Sequence, residues 1–179
     1  MARMLYSVTM STDGFIAGPG GDMSWLTPHL GPNPLADLLM RQIGALLMGN
    51  RTHRGDDPNK DTDKEGAFGG QWTGPQIVLT HNSPNHPSSD VKYVDNLELA
   101  VTKAKAAAGD KYVNVLGADV ARQCLAAGVL DEILTFIAPV MLGDGVPLFR
   151  HAGGTSITLE PILETHSPGA VGIWYQVKN

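Results

Sequence analysis

Cysteine is nearly absent: the 179 residues contain one, Cys124. That excludes an internal disulfide framework and, with it, a small stapled secreted scaffold. Cys124 sits in the apolar pattern VARQCLAAGVL, where a free thiol ordinarily behaves as a small buried hydrophobe. Basic charge is also scarce. Thirteen Lys and Arg face eighteen Asp and Glu, for a net charge of −5 and a pI of about 5.6, so no electropositive field invites a phosphate backbone and nucleic acid is excluded as a partner. No apolar run is long enough to span a bilayer and the N-terminus lacks a signal-peptide core, so the expected location is the cytoplasm, with no membrane partner. Zinc-type spacings are missing as well: His81 and His86 in HNSPNH fall in a proline-containing turn, and no metal is expected. Neither GxGxxG nor GxxxxGK[ST] occurs. With no internal repeat and no linker, the chain is expected to form a single domain over residues 1–179.

What is present reads as alternating strands and helices. RMLYSVTMS is a β-prone run, followed by the glycine-rich stretch TDGFIAGPGGD, expected to be a mobile loop. In NPLADLLMRQIGALLMG, Asn-Pro opens a helix with Leu35, Leu38, Leu39 and Gln42 at helical spacing, and Gly44 breaks it before the buried strand ALLMG. Residues 55–74 form a long polar loop in which Phe68 and Trp72 are the only large apolar groups, available either as a lid over a planar ligand or as a small satellite core. QIVL and DVKYVD are strands, and NLELAVTKAKAAAG is a helix capped by Asn96 and ended by Gly109. The stretch KYVNVLGADVARQCLAAGVLDEILTFIAPVML then reads strand, helix, strand, a βαβ unit with parallel strands. TSITLEPILETHSP and GAVGIWYQVKN close the chain as an antiparallel hairpin.

Two strand ends resemble each other: LLMG delivers Asn50, Arg51 and Thr52, and NVLG delivers Ala118, Asp119 and Val120. The first N–H groups of a helix are unpaired and its dipole is positive there, so both junctions suit phosphate oxygens. In a parallel sheet both lie at the carboxyl edge, where open α/β folds bind ligands. A glycine at a strand end is also plain turn geometry, and Thr52 serves equally as an N-cap.

The ordered set SVTMSTDGFIAG, LLMGNRTH, QIVLTHNSP, VLGADVARQCLAAGVLDEI and APVMLGDGVPLF resembles the dihydrofolate reductase-like family, in the branch related to the C-terminal reductase domain of bifunctional riboflavin biosynthesis proteins. The resemblance implies an α/β fold in three layers: a mostly parallel twisted sheet, a C-terminal antiparallel hairpin, and helices on both faces. It further implies a homodimer and NADP(H)-dependent reduction of a small pterin- or pyrimidine-like or carbonyl substrate. By position, Thr9, Ile16 and Ala17 would flank the nicotinamide. Gly49, Asn50, Arg51 and Thr52 would meet the pyrophosphate, with amides from Leu116, Gly117, Ala118, Asp119 and Val120. Leu79, Thr80 and His81 would line the adenosine end. Ile16, Leu79 and Val120 have pure core roles as alternatives.

The chain also departs from the pattern. Leu116-Gly117 replaces a Gly-Gly pair that carries a cis bond in dihydrofolate reductases, and a cis bond costs on the order of 3 kcal/mol here, which favours trans. Asn50 and Asp119 stand where arginines are expected for a 2′-phosphate, leaving NAD(H) open beside NADP(H). Asp37 and Trp25 fall near the positions of the substrate carboxylate and its tryptophan and are the candidate catalytic pair, although an acid in a helix's first turn also suits the dipole without chemistry. Asp22 is a second acidic candidate, in the loop. Asp13-Gly14 and Gly143-Asp144-Gly145 read as turns. A ligand-binding protein without turnover is the alternative function. A phosphoribosyl-substrate reductase ranks lower, because no separate Lys/Arg cluster offers a second anion site.

Overall fold

The computed structural model describes residues 1–82 and 90–178; His86 lies outside them. An eight-stranded sheet runs in the order β5-β4-β3-β6-β1-β7-β10-β9. Its strands are β1 (Met4–Ser11), β3 (Ile43–Gly49), β4 (Gln76–Leu79), β5 (Val91–Val94), β6 (Tyr112–Leu116), β7 (Glu132–Ala138), β9 (Leu159–Ser167) and β10 (Ala170–Val177). The first six are parallel where they pair, and β10 joins β7 and β9 antiparallel. The central strands are nearly continuous Val, Leu, Ile and Ala because helices cover both of their faces.

Helix α1 (Pro34–Gln42) covers one face, burying Leu35 and Leu39 against Leu5, Leu46, Met48, Leu134, Phe136 and Trp174. It starts where Asn33 accepts the Ala36 N–H at 3.2 Å, with Pro34 filling the first position. Helices α3 (Leu97–Ala108) and α4 (Ala118–Ala126) cover the other, placing Ala100, Ala104, Val120, Ala121 and Cys124 against Met4, Ala45, Leu47, Val113 and Val115. Small residues let α3 lie close. A Cβ on Gly44 would sit 2.5 Å from the Ala108 carbonyl oxygen and 2.7 Å from its Cα, so this glycine, expected to end the helix ahead of the strand, lies inside β3 and lets the strand start at Ile43 beneath the end of α3.

One expectation changes, and one open alternative is decided. The stretch after β1 is not simply a loop: β2 (Phe15–Ala17) pairs antiparallel with β8 (Val146–Pro147). And Trp72 belongs to a satellite core, since it packs with Phe68 on the α1 side and its indole donates to the Ile43 carbonyl at 3.2 Å. That bond anchors the middle of the long loop to the start of β3, which is a structural role and not that of a lid.

Candidate active site

The connections leaving β1 and β6 depart on opposite faces of the sheet, since α1 and α4 lie on different sides. Neighbouring parallel strands with that property leave a crevice at their carboxyl ends. The register shows it opening. β1 pairs with β6 only from Met4↔Val113 to Tyr6↔Val115, yet with β7 as far as Ser11↔Ala138. β6 meanwhile stays with β3 to Met48↔Leu116. Ser7 through Ser11 therefore part from β6. At the fork the buried side chain of Asn114 accepts the Ser7 N–H at 3.3 Å, satisfying a backbone donor that the ladder has lost. Sequence reasoning missed Asn114; its signal was a polar amide inside the apolar strand YVNVL.

Across this crevice the two strand tips meet. After β3 the chain makes a single helical turn, α2 (Asn50–His53), and Gly117 precedes α4 with φ +89 and ψ 136. A Cβ on Gly117 would fall 2.2 Å from Thr52 Oγ1, and one on Gly49 would fall 3.3 Å from Val120 Cγ2. Each glycine thus makes room for a side chain from the other tip, and Gly117 adopts a backbone that L-residues avoid. The Leu116–Gly117 bond is trans. Arg51 and Thr52 are exposed, and Arg51 has no hydrogen-bond partner among the described residues. The Asn50 side-chain oxygen is buried with no donor. His53 supports the turn from behind, its ring 3.1 Å from the Tyr93 hydroxyl on β5; burial first, and the Arg54 charge second, hold its pKa below the ordinary histidine range.

Asp119 opens α4 and is engaged locally, accepting from Arg122 at 2.9 Å and from Gln123 at 2.9 Å. The Arg122 hydrogen bond is the largest influence keeping its carboxyl below the usual range, and the charge of Arg51 acts in the same direction. Arg51 and Asp119 therefore feel one another across the joint between the tips.

The remaining candidates spread along the same edge. Thr9 lies on the forked part of β1, opposite Phe136 and so on the α1 side. Ile16 and Ala17 are buried in β2. Leu79 is half-buried against the α3 side, the Thr80 hydroxyl accepts the Asn82 N–H at 3.1 Å, and His81 is exposed. Leu116 packs on the α1 side.

A second element that the sequence did not disclose holds β2 in place. Asp13 accepts from Ser11 Oγ at 2.6 Å, from the Leu142 N–H at 3.0 Å and from the Gly143 N–H at 2.7 Å. These bonds, that of Ser11 foremost, lower its pKa to about 2. Asp13 is thus a clasp between the β1–β2 turn and the loop after β7. Gly145 completes it, since a Cβ there would lie 2.1 Å from the Ala17 carbonyl oxygen.

On the α1 side a strap crosses the edge. The Met23 N–H donates to Asp56 at 3.1 Å, just beyond α2, and six residues on, the His29 carbonyl oxygen abuts Gly169 in the β9–β10 turn, 2.4 Å from the position of a Cβ. Between these anchors runs the 3-10 segment Ser24–His29, with Leu26 buried and the Trp25 indole N–H buried without an acceptor. Asp22 starts the strap, its carboxylate capping Ser24 at 3.0 Å. Asp37 behaves differently. The inner face of α1 is Leu35 and Leu39, and Asp37 lies on the exposed outer face, lining a shallow depression with Pro34, Leu38, Arg41 and Gln42. This carboxylate, a candidate catalytic or substrate-binding group, is exposed to solvent in the first turn of α1, where it also suits the helix dipole. Among the described residues no cluster of His, Cys, Asp and Glu could hold a metal, and no helix is long and apolar enough to cross a membrane.

The fold is an α/β fold of the dihydrofolate reductase-like kind, and the chain belongs to the RibD C-terminal domain family, whose model matches residues 3–168. It is 28% identical to the uncharacterized protein YyaP of Bacillus subtilis (strain 168), over 97% of this chain and 94% of that one. Among solved structures it is similar to a protein from Shewanella sp. PV-4 named for riboflavin biosynthesis, with a TM-score of 0.75 and 22% identity over the whole of both chains. It is also similar to the dihydrofolate reductase of Enterococcus faecalis complexed with NADP(H), with a TM-score of 0.62 and 15% identity over 99% of this chain and 97% of that one. At these identities the solved structures establish the shared fold.

Proposed function

We propose that the chain is a nicotinamide-nucleotide-dependent reductase of a small heterocyclic or carbonyl substrate. The observation that carries this reading is the contact of the two tips, Thr52 against Gly117. It brings one guanidinium, one hydroxyl and the amides of the α4 start to one joint, a donor set that suits a diphosphate. Thr9, Ile16 and Ala17, along the β1–β6 fork, would hold the nicotinamide end of a dinucleotide through backbone groups of β1 and β2. A reduced nicotinamide, when bound, supplies hydride to a carbon of the substrate. The substrate lies on the α1 side beneath the strap, against Leu35, Leu116 and Phe136. Ser7 and Thr9 offer hydroxyls to its polar edge, and the Trp25 N–H is an unspent donor for an acceptor atom or for an ordered water. Because Asp37 faces solvent, the proton that follows the hydride reaches the heteroatom through water and not from a buried acid.

The test is a titration of NADH and NADPH followed by tryptophan fluorescence, then a screen of pterins, quinones and aldehydes for cofactor oxidation. Saturable binding with turnover supports the reading. Binding without turnover on any of these favours the alternative of a ligand-binding protein, which the exposed position of Asp37 recommends. Family membership also carries the expectation of a homodimer, which sedimentation at micromolar concentration reads directly.

A further inference from the structure

β9 ends the sheet and has one neighbour in it, β10. From Leu159 to Glu164 every residue of the strand is exposed. Among the described residues the other large apolar side chains left in solvent, Met1, Leu30, Leu38, Leu99 and Met141, stand singly, whereas Leu159, Ile162 and Leu163 fall within one five-residue stretch. Scattered apolar residues are ordinary on a surface, but a group of them marks a contact. The register shift between Trp174 and Tyr175 inserts Ile162 into β9, so that Leu163 falls opposite Trp174 and Leu159 opposite Val177. Trp174 belongs to the α1 side and Val177 to the α3 side, so apolar groups reach both faces of this edge. Pro161 has no N–H and the bulge bends the strand, which keeps a foreign strand from pairing along the whole of β9. Side chains can still pack over it. An ion pair stands at each end of the apolar group, Glu160 with Lys178 at one and Glu164 with His166 at the other, the second charged on both partners only when His166 is protonated. A copy turned by 180° near Ile162 and Leu163 brings its Lys178 end to the Glu164 end, acid against base at both rims. Nine residues at about 3.4 Å each give a line about 30 Å long, enough to cross a patch of the ~800 Å² per partner that a stable dimer buries. An apolar edge needs cover at all times, and a partner met only in passing leaves it open between encounters. The far edge of the sheet is closed: β5 is four residues long, with Lys92 exposed and Val94 buried, so contact at β9 does not propagate.

We propose that β9 is the contact between two copies of this chain, related by a two-fold axis near Ile162 and Leu163, with the apolar side chains of each strand packed on those of the other. Such a contact is self-complementary and closes at two subunits. It gives the expected homodimer a surface, whether or not a dinucleotide binds.

The experiment is sedimentation velocity of the full chain from about 0.1 to 100 μM, a range that covers affinities usual for an interface of this size. We expect a species of twice the 19.0 kDa chain mass at micromolar concentration. Ile162→Asp and Leu163→Asp each enter the contact twice and bring like charges to the axis, so each should weaken the dimer by on the order of 100-fold or more. Leu38→Asp is the matched control. Leu38 is 51% exposed and Ile162 52%, so both changes spare the fold, as melting checks, and only the one on β9 alters the dimer. Ile162→Cys should be joined to its copy by a short bismaleimide linker and Leu38→Cys should not; the chain's own Cys124 is fully buried and gives no background. A monomer across the whole range, a dimer that both Asp variants of β9 leave unchanged, or assemblies that grow beyond two would overturn the proposal. None of these results bears on the cofactor reading.

Discussion

Replacing Gly117 by alanine tests the meeting of the strand tips without any ligand. The new methyl group suffers twice. Its backbone, at φ +89 and ψ 136, lies in a region that costs a non-glycine residue roughly 1 to 3 kcal/mol. Its Cβ also lands 2.2 Å from Thr52 Oγ1, an overlap that forces Thr52 or the α2 turn to move at a further ~1 to 3 kcal/mol. Only the second part depends on the other tip. Thr52→Ala alone removes an exposed hydroxyl and should change stability by no more than about 0.5 kcal/mol. In that background the overlapping atom is gone and the nearest remaining one, Thr52 Cβ at 3.4 Å, is in tight but tolerable contact. Urea unfolding of the four proteins in the cycle should give a favourable coupling of about 1 to 3 kcal/mol. A coupling below about 0.5 kcal/mol, the additivity expected of sites that do not touch, would refute the convergence and with it the shared cradle.

Other consequences follow from single residues. Arg51→Ala should weaken dinucleotide binding roughly 5- to 150-fold, the loss of a charge-assisted phosphate contact of about 1 to 3 kcal/mol, and should flatten its salt dependence; calorimetry reads both. Gly44→Ala, which drives a methyl into the Ala108 backbone, should destabilise the fold by roughly 1 to 3 kcal/mol in urea, because backbone cannot yield as a side chain can. Arg3 pairs with Glu132, which is buried at 1% exposure and also receives the Trp174 indole at 2.7 Å; since Arg3 is half exposed, Arg3→Ala should cost about 1 to 3 kcal/mol, below the usual loss for breaking a fully buried pair. Asp13 has its pKa lowered in the fold from 3.8 to about 2, so its stabilisation is complete above pH 4 and is lost as pH falls from there through about 2. Melting temperatures should therefore fall more steeply between pH 4 and pH 2 in the natural chain than in Asp13→Ala, and parallel slopes would contradict the clasp.

Much of this architecture was legible because it rests on local chemistry. Asn96 and Gly109 bound α3, Asn33-Pro34 opens α1, and apolar runs ending in glycine mark β3 and β6; each signal acts within a few residues. The crevice was legible only in part. Periodicity shows that LLMG and NVLG end strands, but not that Thr52 fills the space left by Gly117, which depends on strand order. Contacts across the chain were silent for the same reason: Asp13 and Gly143 are bonded at 130 residues' separation, and β2 finds β8 only once β7 has been placed. Asp37 shows the limit of positional resemblance. Its place in the first turn of α1 matched, but the side of the helix that packs is decided by Leu35 and Leu39, which turn the carboxylate outward. Gly44 shows the converse, where a residue that weakens a helix or strand in isolation is demanded by the close approach of α3.

The central claim is that one diphosphate sits between the α2 turn and the start of α4. A crystal structure of the chain grown with saturating NADH tests it most directly. The account predicts the diphosphate between Thr52 and the amides of Gly117 to Val120, with the Arg51 guanidinium on its oxygens. A dinucleotide seated elsewhere, or an intact Thr52–Gly117 contact with no dinucleotide at that joint, would contradict it.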